Sequence, residues 1–194
     1  MYTLQNANDG FRLTDTESRM ANVITPSSGT IAIKREQIGP LSQLTLTLDN
    51  VQQTVVNGTE YQSTQLLTFP EGRLFVLGTT ATLRQKTTSA LASTLNASST
   101  GAISLGTAAA SSTTLATTAV DLLPSTAFTS SATVNVAGTA VSAALAAGAQ
   151  FDGTSTAKKM YLNTAYATTT DVDGDATQTI SGTIVVTYVW LGDF

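Results

Sequence analysis

Leucine and threonine alternate strictly through Leu44-Thr45-Leu46-Thr47-Leu48. A repeat of two residues sends successive side chains to opposite faces, which a helix of 3.6 residues per turn cannot do. The segment is therefore predicted to be a strand with one apolar and one hydroxyl-bearing face. The same period returns near the C-terminus. There Ile184, Val186, Tyr188 and Trp190 share one face, and Val185, Thr187, Val189 and Leu191 share the other. Both sets are mostly apolar, so this strand is expected to be covered twice, by the core and by another layer or subunit.

Turn signals punctuate the rest of the chain. Asn57-Gly58 lies between two β-compatible segments and predicts a hairpin. Pro70-Glu71-Gly72 predicts a tight turn, with proline setting φ and glycine supplying a positive one. Asp152-Gly153 predicts another, followed by a strand through Met160, Leu162 and Tyr166. Shorter strands are expected in "AISLGT" and "ATVNVAG". About eight to ten strands separated by turns every ten or so residues have the spacing of an all-β sandwich or barrel. Two alanine-rich segments fit less well. Residues 107–120 are read as a loop or irregular edge, and residues 141–150 as a strand with a short helix as the alternative. No clean internal repeat supports a solenoid or propeller.

Charge is unevenly placed. Residues 1–36 carry eight of the 22 charged side chains, whereas only Asp121 and Asp152 are charged between Lys86 and Lys158. Residues 1–28 lack a hydrophobic period and end at a "PSSG" stop. They are read as an extended N-terminal arm that orders against a neighbour, with residues 29–194 forming the β domain.

Several kinds of chemistry are excluded by what is missing. The chain has no cysteine, so disulfides, thiolate metal sites and thiol nucleophiles drop out together. It has no histidine, the usual general base and transition-metal ligand. A net charge of −4, with nine scattered Lys and Arg, gives no basic footprint for nucleic acid. No apolar run approaches the roughly 18 residues of a membrane-spanning helix. The first residues do not read as a signal peptide, so synthesis in a cytoplasm is expected. No cofactor is expected.

The remaining motifs are weak. Asp171, Asp173 and Asp175 fit positions 1, 3 and 5 of a calcium loop, but Ala176 and Gly182 stand where that loop needs glycine and glutamate. These aspartates are read as the soluble tip of a turn on Gly174, able at most to hold a cation weakly. "NGT" at 57–59 and "NAS" at 96–98 match the glycosylation sequon, which matters only in a secretory lumen. "GTSTAKK" lacks the residue order of a phosphate loop. No serine sits in a nucleophile elbow, and no acid can be named for a glycosidase role.

The segments "LLTFPEGRLFVLGTTATL", "SLGTAAASSTTLATTAVDLLPST", "AALAAGAQFDGTSTAKKMYLN" and "GTIVVTYVWLGDF" resemble the capsid decoration, or cement, proteins of tailed bacteriophages. The resemblance runs over roughly residues 41–194 and includes no catalytic motif. It implies a jelly-roll-like β-sandwich and a homotrimer on the outer capsid surface of the virion. There it would clamp neighbouring major capsid protein subunits. Beyond the resemblance, the charged arm is expected to give register through Phe11, Arg12 and Arg19, and Tyr188, Trp190 and Phe194 to supply aromatic anchors. A phage tail-fibre or receptor-binding head domain is the alternative, and a carbohydrate hydrolase on a β scaffold comes third.

Overall fold

The structure, a computed structural model, describes residues 3–4, 13–14, 21–87, 100–129, 137–145, 147–166, 172 and 175–192. Thirteen strands run through the described residues: β1 (Thr3–Leu4), β2 (Leu13–Thr14), β3 (Asn22–Val23), β4 (Thr30–Ile38), β5 (Leu41–Val55), β6 (Tyr61–Thr68), β7 (Gly72–Thr87), β8 (Thr100–Gly106), β9 (Leu123–Thr129), β10 (Val141–Ala144), β11 (Ala149–Gly153), β12 (Lys159–Tyr166) and β13 (Ala176–Gly192). One short 3₁₀ turn, Thr117–Ala119, precedes β9.

Two antiparallel sheets make the body. The larger has the order β10-β7-β13-β5-β4, with β11 also paired to β7, and the smaller has the order β3-β6-β12-β8-β9. Pairing is nested along the chain. β5 pairs with β13, β6 with β12, β7 with β10 and β11, and β8 with β9. Each step inward changes sheet, so the chain is a long antiparallel ribbon wound round a core. This is the jelly roll, whose two sheets keep β4 and β10/β11 as the edges of one and β3 and β9 as the edges of the other. The expected all-β sandwich is therefore present.

One local reading changes. The Asn57-Gly58 turn is real, with Gly58 at φ +90 and Thr59 N–H donating to Val56 O at 3.1 Å. It joins β5 to β6, which lie in opposite sheets, so it is an inter-sheet corner and not a hairpin. The alanine-rich stretch at 141–150 forms β10 and the start of β11 on the edge of β7, as strand and not helix. Residues 107–122 are the irregular segment expected there, apart from the 3₁₀ turn. Most of the proposed "ATVNVAG" strand lies outside the described residues.

The core follows the alternation. Leu44, Leu46 and Leu48 of β5 and Ile184, Val186 and Tyr188 of β13 are buried, facing Ile103, Leu105, Met160 and Leu162 of the smaller sheet. Each such aliphatic side chain contributes about 1.5–3 kcal/mol by leaving water. Bulges adjust the registers. The β6–β12 register skips Leu66, letting both Leu66 and Leu67 be buried, and the β7–β13 register skips Leu77, which emerges 44% exposed.

The chain enters the body before Gly29. Ala21 is fully buried, β3 pairs with β6, and Ile24 N–H donates to Leu66 O at 3.0 Å. Residues 22–24 thus lie along the edge of the smaller sheet, and by Ser28, whose carbonyl accepts from Gln52 N–H at 3.2 Å, the chain has crossed to the larger. Further upstream, β1 and β2 pair with each other.

Candidate interaction surface

The outer faces of the two sheets are treated differently. On the smaller sheet, Ser63, Asn163 and Ser104 stand opposite one another across β6, β12 and β8. The loop at residues 107–122 lies over this row and satisfies it. Asn163 Nδ2 donates to Ala108 O at 3.1 Å and Ala119 O at 2.9 Å, and Ser104 Oγ donates to Ala119 O at 2.7 Å. Ala110 N–H donates back to Ser63 Oγ and Asn163 Oδ1. Asp121 ties the two ends of the loop together by accepting from Thr107 N–H at 2.7 Å and Thr107 Oγ1 at 2.5 Å. Partial burial pushes its carboxyl above the ordinary value, against these hydrogen bonds and the pull of Lys158.

Among the described residues, no comparable loop lies over the outer face of the larger sheet. The strand covered on both sides is β12, with Leu162, Asn163, Thr164 and Ala165 all buried. The outward residues of β13, Val185, Thr187 and Val189, are only half-buried, and Leu191 is exposed. The last strand has its expected core cover, and among the described residues no further layer lies over its outer face from Val185 to Leu191. β13 has one buried face and one that faces outward.

Cross-strand partners order this outer face into rows. At one end runs Ile38, Leu41, Val189, Phe75 and Gln150, from β4 across to β11. This row is apolar over four of its five positions. Leu191 stands two residues beyond Val189, and the bulge turns Leu77 outward two residues beyond Phe75. Ile38 is 78% exposed, and Leu41, Leu77 and Leu191 are each more than a third exposed. A chain does not gain by leaving large aliphatic groups contiguous in water, so such a stripe marks a surface made to be covered.

The middle rows are uncharged over most of their width. One runs Lys34, Thr45, Val185, Thr80 and Ala144, and the next Ala32, Thr47, Thr183, Thr82 and Ser142. Threonine keeps a pleated face soluble without charge, and its methyl group still packs. The edge strand β4 carries the charges, with Lys34 Nζ 2.7 Å from Glu36 Oε1. Arg35, on the opposite face, reaches Ala21 O at 2.6 Å.

The predicted anchors fall in three places. Tyr188 is 1% exposed and packs edge-to-face on Phe69 at 5.6 Å, so it is a core residue and offers no surface to a partner. Burial raises its phenol above the ordinary value. Trp190 is half-buried against the core and donates from Nε1 to Glu71 O at 2.7 Å. It holds the β6–β7 corner, where Gly72 at φ +116 leaves no room for a side chain. Phe11, Arg12, Arg19 and Phe194 lie outside the described residues. Of the aspartate cluster, Asp171 and Asp173 also lie outside, while Asp175 accepts from Asn57 N–H at 3.0 Å and so braces the β5–β6 corner. Among the described residues no three acidic side chains gather as a metal site would require.

The stripe residues Ile38, Leu41, Leu77 and Leu191 were not among the anchors read from sequence. Ile38 had a signal, since a bulky aliphatic beside Gly39-Pro40 at a strand end is hard to bury. Leu77 had none, because its outward turn depends on a bulge set by the partner strand.

No family model matches this sequence, and no curated protein matches it. Among solved structures, a chain in the structure of the infectious bursal disease virus Gt strain aligns over 99% of this chain at 11% sequence identity, with a TM-score of 0.29. The aligned region spans 38% of that chain's length.

Proposed function

We propose that this protein is a non-enzymatic virion structural protein of the decoration class. It binds the outer surface of a tailed-phage capsid and stabilises contacts between major capsid protein subunits, itself assembled as a homotrimer. The observation that carries the reading is the apolar stripe across the outer face of the larger sheet. A wide pleated surface whose middle rows carry few charges, with aliphatic anchors at one end, suits burial against another protein. The jelly roll supports this use, because its wound ribbon supplies a stiff platform that loses little entropy on docking. A binder that recognises only the assembled shell stabilises that state by linkage, and many identical copies multiply weak contacts. The sequence resemblance over residues 41–194 points the same way.

Quantitative mass spectrometry of purified particles tests the role. Roughly one copy per shell subunit is expected of a protein that acts by multiplied contacts. A few copies per particle would move it to the tail or a fibre, and none would remove it from the virion. Particle binding by the Ile38→Lys, Leu77→Lys double variant tests the surface. It should keep the wild-type melting temperature and lose binding. Undiminished binding would clear this face of the role.

A further inference from the structure

At the end of the same outer face opposite the apolar stripe, a cleft of about 310 Å³ opens over the outward side chains of β7 and β13, beside Ala137. Its described lining is Thr82, Arg84, Lys86, Ala137, Thr179, Ser181, Gly182 and Thr183. The register explains the gathering. Arg84 stands opposite Ser181 and Lys86 opposite Thr179, and residues two apart on one strand share a face. Two cations of an acidic protein are thus set side by side among four hydroxyls. No carboxylate lines the cleft among the described residues. Asp49, on the adjoining strand, is occupied by Asn50 Nδ2 at 2.6 Å.

The hydroxyls are poised to donate. Ser181 Oγ already accepts from Asn50 N–H at 2.9 Å, which leaves its proton for another acceptor. Thr179 is 7% exposed, and its Oγ1, closed off from solvent, finds no hydrogen-bond partner among the described residues. A buried hydroxyl left unmatched costs about 1–3 kcal/mol, so a turn of this side chain toward a ligand in the cleft would be favoured. The two cations can only donate, the hydroxyls can donate as well, and the net positive charge of the pair fits a ligand that accepts and carries negative charge.

We propose that this cleft is an oxyanion-binding site, taking a carboxylate or phosphate group between Arg84 and Lys86 with Thr179 and Ser181 donating from below. The site stands independently of the capsid reading, since it is assayed on the isolated protein.

The test is amide-resolved NMR titration with inorganic phosphate and, separately, with N-acetyl-glutamate amide, both at constant ionic strength. Saturable shifts confined to residues 84–86 and 179–183 are expected. The Arg84→Gln, Lys86→Gln variant should bind at least about tenfold more weakly, a loss of about 1.4 kcal/mol. Lys34→Gln, a charge removed elsewhere on the same face, should bind as wild type does. Response to phosphate alone would assign the site to a phosphate group, and response to the capped glutamate would assign it to a protein carboxylate. Both substituted side chains lie toward solvent, and melting curves check that the variants fold. If the double variant does not fold, Arg84→Gln alone should still weaken binding severalfold. Shifts that never saturate, or that persist undiminished in the arginine and lysine variants, would overturn the proposal.

Discussion

Among single residues, the least expected are the glutamines of the core. Gln53, Thr164 and Gln178 are almost completely buried between the sheets and bond to one another. Thr164 Oγ1 donates to Gln53 Oε1 at 2.7 Å, Gln178 Nε2 donates to Gln53 Oε1 at 3.1 Å and Thr164 Oγ1 at 2.9 Å, and Tyr166 OH donates to Gln178 Oε1 at 2.5 Å. Gln53 Nε2 closes the group on Leu162 O and Thr64 Oγ1. Buried polar groups are tolerable when each is matched, and matching across two sheets fixes how they align. Gln178→Leu should cost about 1–3 kcal/mol in urea unfolding, because it removes the acceptor for the Tyr166 hydroxyl and the donor to Gln53 and Thr164. Gln178→Leu and Tyr166→Phe should be coupled, and a double variant that costs the sum of the singles would deny it. A sign of these residues was present in the sequence. Gln53 shares its parity with Val51 and Val55, and Gln178 with Ile180, so alternation placed them inward. Composition argued against it, since an isolated glutamine gives no hint that partners await it on other strands.

Elements show the same division between local rule and distant partner. β4 is an edge strand with little cover, and its Lys34-Arg35-Glu36 run makes it a poor template for another strand. Lys34→Val with Glu36→Val should keep the fold and bring on self-association, seen as a rise in light-scattering mass with concentration. An oligomeric mass unchanged from wild type at all concentrations would show that these charges are not protective. The loop at residues 107–122 predicts a pH effect. The carboxyl of Asp121 is raised from an ordinary value of 3.8 by burial. Below that value both folded and unfolded chains are protonated, and as pH rises through it the unfolded chain ionises first. Stability therefore falls until the folded-state value is passed. Asp152 runs the other way. Thr154 donates to it from Oγ1 at 2.7 Å and from N–H at 3.0 Å, lowering its value, so its contribution is present above 3.8 and lost as pH falls further. Melting temperatures from pH 3 to 7 should show a smaller decline in Asp121→Asn than in wild type. An unchanged profile would mean that Asp121 is not titrating in that window. Both aspartates were visible as the only charges in a long neutral stretch. Their opposite settings were not, because burial of Asp121 depends on where residues 107–122 come to rest.

For the whole molecule, nested pairing sets how the chain must fold. β5 and β13 are the outermost partners, and Val55 pairs with Ala176 only after everything between them has been placed or looped out. Contacts so distant in sequence must bear loop-closure entropy before they are rewarded, so folding in about milliseconds to seconds is expected by stopped-flow fluorescence of Trp190. Folding in microseconds would contradict a nucleus built on these pairs. The sequence by itself determined that the chain is β throughout its body, where its corners fall, and which parity faces inward in strands without a bulge. Those properties rest on φ/ψ preference and a repeat of two, which act between near neighbours. Which strands share a sheet, which outer face is covered, and where Arg84 and Lys86 meet Thr179 and Ser181 were decided only by tertiary structure. Asn57-Gly58 shows the difference. The dipeptide dictates a tight reversal whatever surrounds it, but whether the next strand pairs alongside or crosses to the opposite sheet depends on β13 and β12, more than a hundred residues away, which supply the better partners.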